Sequence, residues 1–232
     1  MFTTGFYNSS YLLFMIPAFL LMLITQIYVR SAYNRWSRVN ARSGINGSEA
    51  ARRLMQFGSL YGVRIEPVAG QLSDHYDPRS KVLRLSQGVY TGTSIAALAI
   101  AAHELGHAMQ DKEGYAPLRL RSLLVPAVNI GSYLGWIFII LGLAVNITGL
   151  SWLGVIIFSG GAVFALATLP VEFDASRRAK RLLREAGIVQ TAEEQRGVSA
   201  VLNAAALTYI AALVTAVLQL LYYVSLVAGR RR

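Results

Sequence analysis

No cysteine occurs among the 232 residues. Disulfides, thiolate metal sites and cysteine nucleophiles are therefore excluded, and any metal site must be built from imidazole and carboxylate. Charge is scarce as well, at 15% against 54% hydrophobic residues. That balance rules out a disordered chain and does not suit an ordinary soluble domain. Acids are scarcest: 12 Asp and Glu stand against 22 Lys and Arg, a net charge of +10. On a soluble domain this excess would suggest nucleic acid, but the basic residues are confined. Thirteen lie from Arg30 to Arg121, six from Arg177 to Arg196 and three at Arg230, Arg231 and Arg232. The remainder of the chain is nearly uncharged, so the basic flanks are expected against anionic lipid headgroups and no nucleic-acid partner is expected.

Four uncharged runs are long enough to cross a bilayer, for which about 20 apolar residues suffice. They are Tyr11 to Val29, with Pro17 inside it, Pro126 to Val145, Leu150 to Leu169, and Ala204 to Val227. The second and third are separated only by Asn146, Ile147, Thr148 and Gly149, which makes them a tight hairpin. The N-terminus lacks a basic region and a small-residue cleavage site, so the first run is expected to be a retained anchor. Basic residues near the membrane ends gather on one side, among them Arg30, Arg35, Arg38, Arg119, Arg121, Arg177 and Arg178. The expectation is a multi-pass membrane protein with both termini outside and residues 30–124 and 172–203 in the cytoplasm. The expected organisation is an anchor (1–29), a cytoplasmic domain (30–124), a helical hairpin (125–171), a cytoplasmic helix and linker (172–203), and a final span with its basic tail (204–232).

Within 30–124, Ser48 is expected to cap a helix from Glu49 to Phe57 that Gly58 ends. Alternation at Val63, Ile65 and Pro67 marks a half-buried strand. A turn at Asp77-Pro78-Arg79-Ser80 precedes a second alternating stretch, Val82 to Ser86, and the whole is expected to be a short β-meander. Thr93 or Ser94 then opens a helix, SIAALAIAAHELGHAMQ, apolar on nearly every side and therefore buried.

That helix carries His103-Glu104-Leu105-Gly106-His107, an H-E-x-x-H pattern. Histidines four apart share one helical face and can reach a single zinc ion, while the intervening Glu can deprotonate a water. Coincidence is a poor explanation, because two of only three histidines sit here, in a helix with little structural reason to hold them. The fold class expected is a mainly α membrane protein with about four transmembrane helices and a cytoplasmic zincin-like α+β domain.

A hydrolytic zinc needs a third protein ligand, here His75 or a carboxylate. On a helix from Val171 to Ala186, Ala175, Ala179, Leu182, Leu183 and Ala186 form an apolar stripe. Glu172 falls inside that stripe, and a core-facing carboxylate must be paired or bound to metal. Glu172 is therefore the expected third ligand. Asp174 is expected on the opposite, solvated side with Arg177, Arg178 and Arg181. Ser176, one turn after Glu172, is placed to hydrogen-bond a liganding histidine.

These residues carry a resemblance. HELGHA after SIAALAIAA, the earlier DHYDPRSKVLRLS, and the later PVEFDASRRA and VLNAAALTYIAA resemble the YugP-like membrane zinc metallopeptidases, and more distantly the HtpX-type membrane proteases, which are gluzincins. The resemblance implies a bacterial cell-membrane protein with one zinc ion held by His103, His107 and Glu172, and Glu104 as base. In the distant relatives the ligand Glu is followed four residues later by Asp, where this chain has Ser176.

The activity expected is zinc-dependent endopeptidase cleavage of protein or peptide substrates, some of them membrane-associated. His75 and Tyr209 are the candidates for a substrate or oxyanion role. The strand Val82 to Ser86 is the candidate sheet edge for pairing with an extended substrate. The alternative is a zinc-stabilised membrane adaptor without turnover, but a scaffold has no need of a base between its ligands.

Overall fold

The computed structural model describes residues 9–229; the three tail arginines lie outside them. The chain runs through α1 (Ser9–Trp36), α2 (Gly47–Phe57), β1 (Arg64–Val68), β2 (His75–Asp77), β3 (Val82–Ser86), α3 (Gln87–Tyr90), α4 (Ile95–Lys112), α5 (Ala116–Ala144), α6 (Thr148–Glu185) and α7 (Ala192–Gly229). Four of these, α1, α5, α6 and α7, are long and apolar enough to cross a membrane, and they contain the four expected runs except for Val145, one residue past the end of α5. The hairpin between α5 and α6 turns at Asn146, whose φ is 57°. Helix α6 continues beyond its uncharged run through Pro170 to Glu185. Proline deletes only one backbone donor, and helix-forming residues on both sides carry the helix across.

The chain divides into two compact units. One holds α1 up to Thr25, Leu120–Leu169 and α7 from Thr208 on. Here α5 and α6 touch backbone to backbone: a Cβ on Gly154 would come within 2.6 Å of the Gly135 carbonyl oxygen. Small residues permit this approach where no hydrophobic effect drives helices together. Around the contact Ile139, Val155, Tyr223 and Val227 form a small core. Leu13, Phe19 and Tyr133 are among the large apolar side chains left exposed, as lipid-facing residues would be.

The other unit holds Gln26–Arg119 and Pro170–Leu207. Helix α4 forms its centre, with Leu98, Ala101, Ala102 and Leu105 fully buried. Ser94 caps it, its side chain accepting from the Ala97 N–H. Helix α2 starts earlier than expected and is capped by Asn46, whose Oδ1 accepts from the Glu49 N–H. Ser48 instead donates to Asn46, so it holds the cap without being one.

The expected meander is wrong. The sheet order is β1-β3-β2, with β1 parallel to β3 and β2 antiparallel to it. β2 was hidden because His75-Tyr76-Asp77 is short and flanked by turn residues, so it carries no alternation. β3 is thus the central strand, buried on both faces except at Arg84. It cannot be the free edge expected for a substrate, because β1 and β2 occupy both of its sides.

Candidate metal centre

α4 presents His103 and His107 one turn apart, their ring centroids 4.9 Å from each other. Opposite them α6 presents Glu172, whose Oε2 lies 3.3 Å from His103 Nε2 and 3.6 Å from His107 Nε2. The approach of the two helices depends on Gly106, between the histidines: a Cβ there would stand 2.6 Å from the Ala175 carbonyl oxygen. Ligand atoms about 2.0–2.2 Å from a tetrahedral zinc stand about 3.3–3.6 Å apart. The two measured separations match that spacing. His103, His107 and Glu172 therefore form a cluster that could hold a metal ion, all three ligand atoms lying within 4.8 Å of one another.

The side chains are nearly enclosed, with 12% exposure for each histidine and 2% for Glu172. Burial opposes ionisation of Glu172, but the two imidazoles beside it outweigh that and hold the carboxyl below the usual carboxylate range. Burial likewise opposes protonation of His107, and contact with Glu172 and the charge of Glu104 outweigh it and raise the imidazole. Each histidine has a partner behind it. Ser176 Oγ lies 3.2 Å from His103 Nδ1, as the helical spacing suggested, and Gln110 Oε1 lies 3.0 Å from His107 Nδ1.

Glu104 is set differently. Its Oε2 accepts from the Tyr76 backbone N–H of β2 at 3.1 Å, and burial pushes its carboxyl above the usual range. Tyr76 is fixed in turn by its phenol, which donates to Asp111 Oδ2 at 2.8 Å. A carboxyl raised by burial and facing two imidazoles and a second carboxylate is what a proton-transferring group requires.

The remaining expectations fare unevenly. His75 is exposed on β2 and its Nδ1 lies 2.8 Å from the Ser73 carbonyl oxygen, so it is not part of the cluster. Tyr209 lies on α7 in the first unit, not in the one that holds the cluster. Asp174 corrects the helical-face reading: it is 5% exposed, because Gln110 and Arg178 wrap it. A one-stripe analysis treats a helix as having one inside, and α6 is covered on a second side too. Gln110 and Tyr76 escaped the sequence reading. The available signal for Gln110 was an uncharged amide three residues after His107 in an otherwise apolar helix; for Tyr76 there was none.

The fold and the site together define a membrane protein with several candidate spans and a histidine–carboxylate cluster suited to a metal ion. The chain belongs to the family described as "putative neutral zinc metallopeptidase", whose model matches residues 11–228. It is 44% identical over 206 residues to the "Putative membrane protease YugP" of Bacillus subtilis (strain 168), covering 89% of this chain and 91% of that protein. No solved structure matches it.

Proposed function

We propose that this protein is an integral-membrane zinc endopeptidase of gluzincin type, with His103, His107 and Glu172 as zinc ligands and Glu104 as general base. The observation that carries the reading is the agreement between the two histidine–carboxylate separations, 3.3 and 3.6 Å, and the spacing of ligands on a tetrahedral zinc. The zincin-like catalytic unit faces the cytoplasm, on the strength of the basic residues beside the spans. Its substrates are proteins or peptides at or near the lipid bilayer.

A zinc ion held by the His103 and His107 imidazoles and the Glu172 carboxylate would keep a net charge of +1, and would supply acidification of water towards a pKa of about 7 and polarisation of a peptide carbonyl. Glu104 removes a proton from the attacking water as its oxygen adds to the carbonyl carbon. The same carboxyl then delivers that proton to the leaving amine as the C–N bond breaks. Tyr76 N–H occupies Glu104 Oε2, so Oε1 remains to take the proton. Burial of Glu104 raises its basicity for this transfer.

Glu104→Gln tests the reading. In detergent, the variant keeps its zinc and loses cleavage of casein or of the chain itself, by about 10²-fold or more for a lost general base. His107→Ala loses both zinc and cleavage. Cleavage retained at wild-type rate in either variant would refute the assignment.

A further inference from the structure

The metal centre as described leaves Gln110 without a task, although it is fully buried and sits among groups that determine its orientation. Its Nε2 lies 2.8 Å from the Val171 carbonyl oxygen and 2.9 Å from Asp174 Oδ2. A backbone carbonyl oxygen can only accept a hydrogen bond, so the amide must turn its NH2 group towards Val171, and Asp174 Oδ2 lies on the same side. Oε1 then faces His107 Nδ1, 3.0 Å away. An amide oxygen only accepts, so the His107 Nδ1 must carry the hydrogen and donate it. Nε2 is left with a free lone pair, on the side where Glu172 Oε2 stands 3.6 Å away.

Asp174 holds this order from behind. It pairs with Arg177 and Arg178, and Arg178 Nη1 donates to Glu113 Oε1 at 2.8 Å. A guanidinium can only donate, so the Asp174 oxygens that Arg177 and Arg178 meet act as acceptors. Ser176 behind His103 cannot act in this way, since a hydroxyl both donates and accepts and so fits either tautomer.

We infer that Gln110 is a positioning residue which sets His107 in the Nδ1–H tautomer and so directs its Nε2 lone pair to the metal, with Asp174 and Arg178 fixing the orientation of the amide. This rests on the proposed zinc function. Gln110 also ties the backbone just before Glu172 to α4, so a purely structural role must be separated from the tautomeric one. Two variants do this. Gln110→Met removes both the donors and the acceptor, whereas Gln110→Glu removes the donors to Val171 and Asp174 but keeps an oxygen for the His107 N–H.

Zinc affinity is measured by chelator competition on detergent-purified protein, with apo-protein melting as the stability readout. Gln110→Met weakens zinc binding about 10- to 100-fold, the usual cost of losing an outer-shell partner. Gln110→Glu stays close to wild type in zinc affinity, although both variants melt lower. In zinc-free wild type at alkaline pH, ¹⁵N NMR of His107 shows the Nδ1–H form, and in Gln110→Met the Nε2–H form enters. Equal zinc affinity of Gln110→Met and wild type overturns the inference alone, as does a Gln110→Glu variant weakened as much as Gln110→Met. Wild type that binds no zinc overturns the inference and the proposed function together.

Discussion

Gly106 shows how much one variable position of the H-E-x-x-H pattern can carry. Glu172 reaches the histidines because the backbone of α6 lies against Gly106, where a Cβ would meet the Ala175 carbonyl oxygen at 2.6 Å and its Cα at 3.0 Å. Both obstacles are backbone atoms, so one helix must move. Gly106→Ala is therefore expected to cost about 1–3 kcal/mol or more of stability and to weaken zinc binding, because Glu172 moves with α6. Thermal unfolding and metal titration of the variant in detergent check this; unchanged values in both would mean that the helices can separate without affecting the ligands. Asp174 is a second case. Asp174→Ala leaves the Gln110 amide and the Arg178 guanidinium without their buried acceptor, and an unfolding free energy lowered by about 1–3 kcal/mol is expected. Helical periodicity alone placed Asp174 in solvent and would give no effect. The cluster itself was legible because ligand spacing on one helix and a carboxylate on an apolar stripe are local patterns. Gln110 and Tyr76 were not, because their roles arise from which groups the tertiary fold brings to them.

At the scale of elements, the long helices and the strands β1 and β3 were legible, and β2 and the strand order were not. Long uncharged runs and a Ser94 cap mark α1, α4, α5, α6 and α7 by composition alone. β2 offers three residues and β3 owes its burial on both faces to neighbours distant in the chain, so strand order could not be read from alternation. Thr191-Ala192-Glu193-Glu194 forms a capping box at the start of α7, and its Glu194 also has a long-range use. Glu194 Oε2 accepts from the Gln190 and Thr191 N–H groups, while Oε1 accepts the Arg42 N–H across 152 residues of sequence. Glu194 precedes the uncharged run of α7 and lies outside the membrane-spanning segment. Burial opposes its charge, but these hydrogen bonds prevail and hold the carboxyl below its ordinary value. A carboxyl lower in the folded state stabilises it fully above the unfolded value of about 4.3, and the contribution is lost as pH falls through the folded value. Melting temperature is thus expected to fall on acidification below about pH 4.3 more steeply in wild type than in Glu194→Gln. Parallel curves for the two proteins would show that Glu194 does not contribute in this way.

For the whole molecule, the excess of basic residues becomes a statement about sidedness, and the missing cysteines make it measurable. With no thiol in the sequence, one introduced cysteine is the sole site for a maleimide. Tyr61 is 86% exposed in the unit that carries the metal cluster, and Ile147 is 55% exposed in the turn between α5 and α6. Neither has a place in the proposed chemistry. The proposed topology puts the first in the cytoplasm and the second outside, because in it the α5–α6 hairpin crosses the bilayer and returns. In intact cells a membrane-impermeant maleimide is expected to label Ile147→Cys and to spare Tyr61→Cys, which becomes reactive only after permeabilisation. The opposite pattern would place the metal cluster outside the cell and its substrates with it. The basic flanks would then need another explanation, such as anionic lipid on the outer leaflet. Labelling of both positions in intact cells would contradict the hairpin itself, since one bilayer crossing separates them in the proposed topology.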